Sequence, residues 1–239
     1  LRQHRSYNYG TEKIGQKFYF GRNRQENLII YKKRKAMVKN STAIDNILES
    51  LIQVAQQNGA SDAKAVSTTD VTVDKSLTNF CKDSRCENYG LSINCPPHVS
   101  GPAGFKELLK DYEQAVVFKI DVPTEILLSK ESLEVFRSLH KIASIIEKSA
   151  VEKGYLRSKA FAGGSCKPLF CQEYTDCLVL SESGNCRHPH IARPSMSGFG
   201  INVSQLTEAA GWKMDRITHE TDPEAVKMGM LCGLVLIGR

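Results

Sequence analysis

Seven of the eight cysteines fall into two groups, and this grouping constrains the fold more than any other feature of the chain. Cys81, Cys86 and Cys95 form the first group, Cys166, Cys171, Cys177 and Cys186 form the second, and Cys232 stands apart. Residues 96–165 between the groups carry no cysteine. Core cysteines behave as small hydrophobes and scatter among apolar positions. These are instead flanked by polar and turn-forming residues: Lys82-Asp83-Ser84, Glu87-Asn88-Tyr89-Gly90, Gly163-Gly164-Ser165 and Gly184-Asn185. Loops that wrap several thiolates around one centre have that composition.

Three chemistries compete for such a pattern. Disulfides need an oxidising compartment. No charged stretch followed by an apolar one opens the chain, so no signal peptide is expected, and eight cysteines in 239 residues fall well below the ~8–10% of a disulfide scaffold. Structural zinc needs four tetrahedral ligands, usually in short knuckles. Here the gaps are four and eight residues in the first group and four, five and eight in the second, with no Cys-x-x-Cys. An iron–sulfur cube is wider than one ion and accepts longer, less regular gaps, and Cys-Pro is a recurrent end to its ligand runs. Cys95-Pro96-Pro97 is such an element, and proline there fixes φ and offers no N–H. Iron–sulfur is the leading expectation, and the alternative is a zinc-stabilised structural or interaction module without redox chemistry.

A thiolate-bound cluster carries negative charge, and nearby cations or hydrogen-bond donors tune it. Arg187, His188 and Arg193 follow Cys186 closely and are the candidates for such cofactor contacts; His190, Lys167 and Arg85 lie beside cysteines in the same way. The simpler reading of these charges is a solvated surface. For His98, His188 and His190 a supporting role is favoured over direct ligation.

The charge distribution excludes other functions. Residues 1–36 hold ten Lys or Arg against Glu12 and Glu26, a net of +8 within an overall +6, so residues 37–239 carry −2. The main body has no field that would attract nucleic acid. Its longest apolar stretch, Met230 to Gly238, is nine residues, against ~20 for a membrane span. Residues 1–36 read as a short basic extension, with a hairpin conceivable around Gly21–Asn27. Met37 after the Lys32–Lys35 cluster suggests that this extension is not native.

The body, residues 37–239, reads as one α+β domain. Ile44, Ile47, Leu48, Leu51, Ile52 and Ala55 mark one helix face, and Leu133, Phe136, His140, Ala143, Ile146 and Ala150 mark another. His140 on that stripe is expected as a core histidine. Extended segments are expected at Ala63–Val66, Val71–Asp74, Val116–Val122 and Leu234–Ile237, and shorter helices from Pro102 to Tyr112, from Ser204 to Ala210 and after Asp222-Pro223. The cysteine groups fall in two long loops, Asn79–Gly101 and Gly163–Gly200. The stretch Arg193–Gly200 would line a pocket or serve as a tight connector.

Phe161-Ala-Gly-Gly-Ser-Cys166-Lys-Pro-Leu-Phe-Cys171, then Cys177, then Cys186-Arg-His-Pro-His-Ile-Ala-Arg193-Pro-Ser-Met-Ser-Gly-Phe-Gly200, resembles the predicted metal-binding family called domain of unknown function 2284. Cys81, Cys86-Glu-Asn-Tyr-Gly90 and Cys95-Pro-Pro-His98 are similar to that family's other signature, and Gly233-Leu-Val-Leu-Ile to its last strand. The resemblance covers roughly residues 40–239 and implies a cytoplasmic protein with cysteine-bound metal, iron–sulfur above all. It supplies no reaction. The combined expectation is one or two four-iron clusters with an electron-transfer or redox role and a redox partner protein. The three-thiolate group would be an open, reactive site, or a relay completed by Cys232 or His98.

Overall fold

The computed structural model describes residues 43–82, 85–181 and 184–239, and the basic extension with its conceivable hairpin lies outside them. The fold is α+β, built on a four-stranded antiparallel sheet. Helix α1 covers 43–57 and gives way at Gly59, whose φ of 104° suits glycine at a helix end. Strand β1 (Asp62–Ser67) follows, then two 3-10 turns, Thr68–Asp70 and Lys75–Cys81. Helix α2 (Gly101–Leu109) leads into β2 (Gln114–Pro123), the short α3 (Thr124–Leu127) and the long α4 (Ser132–Glu152). Strand β3 (Lys159–Phe161), helix α5 (Cys166–Phe170), a 3-10 turn at Met196–Phe199, helix α6 (Val203–Ala209) and β4 (Met228–Ile237) complete the order.

The sheet runs β1-β2-β4-β3. β2 and β4 are central and covered on both faces, which is why both read as apolar runs rather than as strict alternation. Val116, Phe118, Val235 and Ile237 point into a layer with Leu48 and Leu51 of α1 and Leu139, Ile142 and Ile146 of α4. Their neighbours Ala115, Val117, Leu234 and Leu236 point the other way, against Phe105 of α2, Leu206 of α6, Phe161 and Phe199. Gly233 pairs with Phe118, and a Cβ on it would stand 2.3 Å from that ring; no larger residue fits there.

Three expectations on local structure are revised. Val71–Asp74 is not a strand but makes a single bridge, Val73 to Ile201. Asp222-Pro223 opens only a turn, closed by Val226 N–H to the Asp222 carbonyl at 3.0 Å; β4 already begins at Met228 and leaves no length for a helix. The expected loop at Gly163 contains α5, which begins on Cys166 because the Ser165 side chain accepts from the Lys167 N–H and Leu169 is buried. Among the described residues no helix is long and apolar enough to cross a membrane.

Candidate metal centre

The chain leaves the sheet at Phe161 and returns at Ser195, and this excursion carries the four-cysteine group. Its neck is closed by backbone bonds: Ala162 N–H donates to Pro194 O at 3.0 Å and Met196 N–H to Ala162 O at 2.9 Å. A side-chain clamp from α4 closes it further. His140, 0% exposed, accepts the Arg193 N–H on Nδ1 at 3.1 Å and places Nε2 3.1 Å from Gly163 O. One imidazole therefore ties both ends of the excursion. Nδ1 must stay unprotonated to accept, which assigns the proton to Nε2. Burial, with Arg193 adding to it, pushes His140 down to about 4. Arg193 itself is paired with Glu147 at 2.7 Å and donates to the carbonyls of Pro189 and Ala192.

The first cysteine segment is pinned to the same neck, because Ser195 N–H donates to Asn94 O at 3.1 Å. Side chains then cross in both directions. Ser92 hydrogen-bonds with Cys166 Sγ at 3.1 Å, and Asn94 Nδ2 donates to the same sulfur at 3.6 Å. In return, Cys95 Sγ lies 3.3 Å from Ser165 Oγ and donates to it. Each segment thus supplies a polar partner to a buried cysteine of the other.

Cys166, Cys171, Cys177 and Cys186 line one cavity, together with Ser92, Asn94, Arg187 and His188. The enclosed space is about 20 Å³, room for one small sphere of water size. The His188 N–H donates to Cys186 Sγ at 3.3 Å. Among the described residues no three His, Cys, Asp or Glu side chains are grouped tightly enough to hold one metal ion as they stand.

Thiol electrostatics tell the same story of proximity. Burial pushes Cys95 up to about 11; the Ser165 hydroxyl opposes this, and Cys166, Cys86 and Cys81 add to it. Burial also raises Cys166, against Ser92 and Asn94, with Cys186 and Cys171 pushing further up. Cys171 is raised by burial and by Cys186 and Cys177, while Arg187 and Lys167 hold it down. Burial raises Cys81, with Cys86 beside it. Cys95 and Cys166 join the two groups into one neighbourhood. A metal held by these thiols would have to displace their protons, so its binding would strengthen as pH rises.

The basic residues are engaged in holding backbone. Arg187 stacks 3.9 Å over the Tyr174 ring and binds Asp176 through its carbonyl and carboxylate. Lys167 donates to the carbonyls of Cys171 and Tyr174. His188 packs its ring on Phe170 at 5.7 Å. Exposed His98 places Nε2 3.1 Å from Gly90 O. His190 and Arg85 are exposed.

Cys232 sits in β4 opposite Lys119, packed in the core layer of Phe161 and Leu234. Burial drives its thiol up to about 12, and its charged neighbours are Lys119 and Asp121, not the other cysteines. In the native chain it is expected to resist alkylation by iodoacetamide at mildly alkaline pH, while denaturant exposes it; mass spectrometry of the labelled peptides reads the difference. Native labelling of Cys232 as fast as in denaturant would contradict this placement.

Ser92, Asn94 and Ser165 have no motif of their own in the sequence. Their only signal is that they are polar residues inside the cysteine segments. Four thiols thus line one cavity of an α+β domain, with hydrogen-bond donors aimed at the sulfurs of Cys166 and Cys186. The chain belongs to the family of predicted metal-binding proteins named domain of unknown function 2284, whose sequence pattern matches residues 64–237. The chain has no match among curated proteins or among solved structures.

Proposed function

We propose that this protein is a cytoplasmic iron–sulfur protein with an electron-transfer or redox role that works with a redox partner protein. Cys166, Cys171, Cys177 and Cys186 would hold a four-iron, four-sulfide cluster, and Cys81, Cys86 and Cys95 a second, three-thiolate centre. The observation that carries the reading is the single cavity lined by all four thiols of the larger group. The sulfur-directed donors Ser92, Asn94 and His188 N–H support it, since such bonds stabilise thiolate and set potential. A bound cluster supplies reversible one-electron chemistry. The protein's part is to fix the thiolates, keep the centre dry and lend positive charge from Arg187 and Lys167 near Cys171. Cys232 packs in the core layer of Phe161 and Leu234, which speaks against it as a fourth ligand; the three-thiolate centre would be an open, reactive site or a relay completed by His98.

A single zinc ion on the same four thiols is the second reading, and the narrowness of the cavity, about 20 Å³, favours it. Electron paramagnetic resonance of anaerobically purified protein, before and after dithionite, separates the two. The iron reading expects a signal that appears on reduction and disappears on reoxidation. A colourless protein with no signal in either state would refute it.

A further inference from the structure

We propose a second site: a cleft between the start of α2, strand β3 and the 189–199 return, suited to a small monocarboxylate with an apolar body. Its volume is about 450 Å³, within the ~300–1,000 Å³ of small-molecule sites. Leu108, Phe161 and Phe199 make its apolar floor, with the two phenylalanine rings edge-to-face at 5.3 Å.

The polar groups of the cleft select charge. Glu147 and Arg193 neutralise each other at 2.7 Å, and Glu147 also accepts the Ala160 N–H. Lys159 is exposed at the lip, and its ammonium has no partner among the described residues. Ser100 and Gly104 bring the N-terminal end of the nine-residue α2 to the cleft, and the Ser100 side chain makes no capping bond there. The Arg193 side chain is 10% exposed, and its Nε is buried without a partner. Lys159 and Arg193 against Glu147 leave one net positive charge on the lining. That balance suits a monoanion, because the Glu147 carboxylate opposes the doubled charge of phosphate.

The cleft also adjoins the cysteine centre. His188 and Ala192 line the cysteine cavity, while Pro189 and Arg193, on the same turn, line this one. The proposal holds whichever metal the thiols carry, so its test is independent of that question.

Benzoate is the probe, titrated calorimetrically into the full chain as purified with its metal, with benzamide and inorganic phosphate as comparators. Benzoate is expected to bind one saturable site about ten-fold more tightly than benzamide, the margin of a charge-assisted contact over a neutral one. Lys159→Gln, a change at an exposed position, is expected to weaken benzoate about five-fold and leave benzamide unchanged, and Lys159→Arg to restore it. No saturable benzoate binding, equal binding of benzamide, phosphate binding more tightly than benzoate, or indifference to Lys159→Gln would each overturn the proposal.

Discussion

Cys166→Ser is expected to empty the four-cysteine centre while leaving the fold intact. Serine is close in size, keeps the hydroxyl partner for Ser92 and can still open α5 behind the Ser165 cap. It is a far weaker ligand than thiolate for a soft metal site. The two core layers on either side of β2 and β4 hold no residue of the four-cysteine group, so far-ultraviolet circular dichroism should not change. Metal content should fall by the whole complement of that centre. A milder change tests the crossing of the two segments: Ser92→Ala removes a hydrogen bond to Cys166 without touching any cysteine. Outer partners of this kind are worth ~10–100-fold in metal affinity, so competition with a chelator should extract metal from Ser92→Ala at correspondingly lower chelator concentration. A Cys166→Ser chain with full metal content would remove Cys166 from the centre, and a Ser92→Ala chain indistinguishable from the parent would remove Ser92 as its outer partner.

The second large effect concerns acid. His140 is held near 4 in the folded chain, well below its ordinary 6.5. A base whose folded pKa is depressed adds stability that is fully present above the unfolded value and is lost as pH falls toward the folded one. The window therefore runs from 6.5 down to about 4. Over it the metal-free chain should lose about 3 kcal/mol from this residue, at ~1.4 kcal/mol per unit. The loss lands at the neck, because protonated Nδ1 can no longer accept the Arg193 N–H. Urea unfolding of the metal-free parent and of His140→Gln, compared at the two ends of that window, measures the difference. His140→Gln should be weaker at neutral pH, from the lost clamp, but distinctly flatter toward acid. Parallel profiles would contradict a neutral, buried imidazole at this position.

The sequence announces the parts of this fold whose signal is local and repeated. The stripes of α1 and α4 and the apolar runs of β2 and β4 are each set by burial of one face or two, and burial leaves its mark in the residues themselves. His140 is legible as a core histidine for the same reason. Strand β3 is three residues long, too short for any period to show. Its place at the edge is decided by pairing with β4, far along the chain. Helix α5 hides behind the turn-like composition Gly163-Gly164-Ser165; its cap and the burial of Leu169 decide the matter. Asp222-Pro223 shows the converse, a strong helix-start signal cut short because the chain enters β4 at Met228.

At the candidate centre, the grouping of cysteines is legible because ligands cluster in sequence. What the sequence withholds is how the groups face each other. Ser92 with Cys166, and Cys95 with Ser165, are contacts across more than 65 residues; no spacing rule within either group encodes them. The role of His140 as the tie between Gly163 and Arg193 is hidden for the same reason, since both partners belong to a different segment.

The central claim is that the thiols of Cys166, Cys171, Cys177 and Cys186 share inorganic iron and sulfide. Elemental analysis for iron, acid-labile sulfide and zinc on one anaerobic preparation tests it most directly. The account predicts about four iron and four sulfide per chain for that centre, rising to about eight of each if the three-thiolate centre is filled as well. Stoichiometric zinc with neither iron nor sulfide would contradict it.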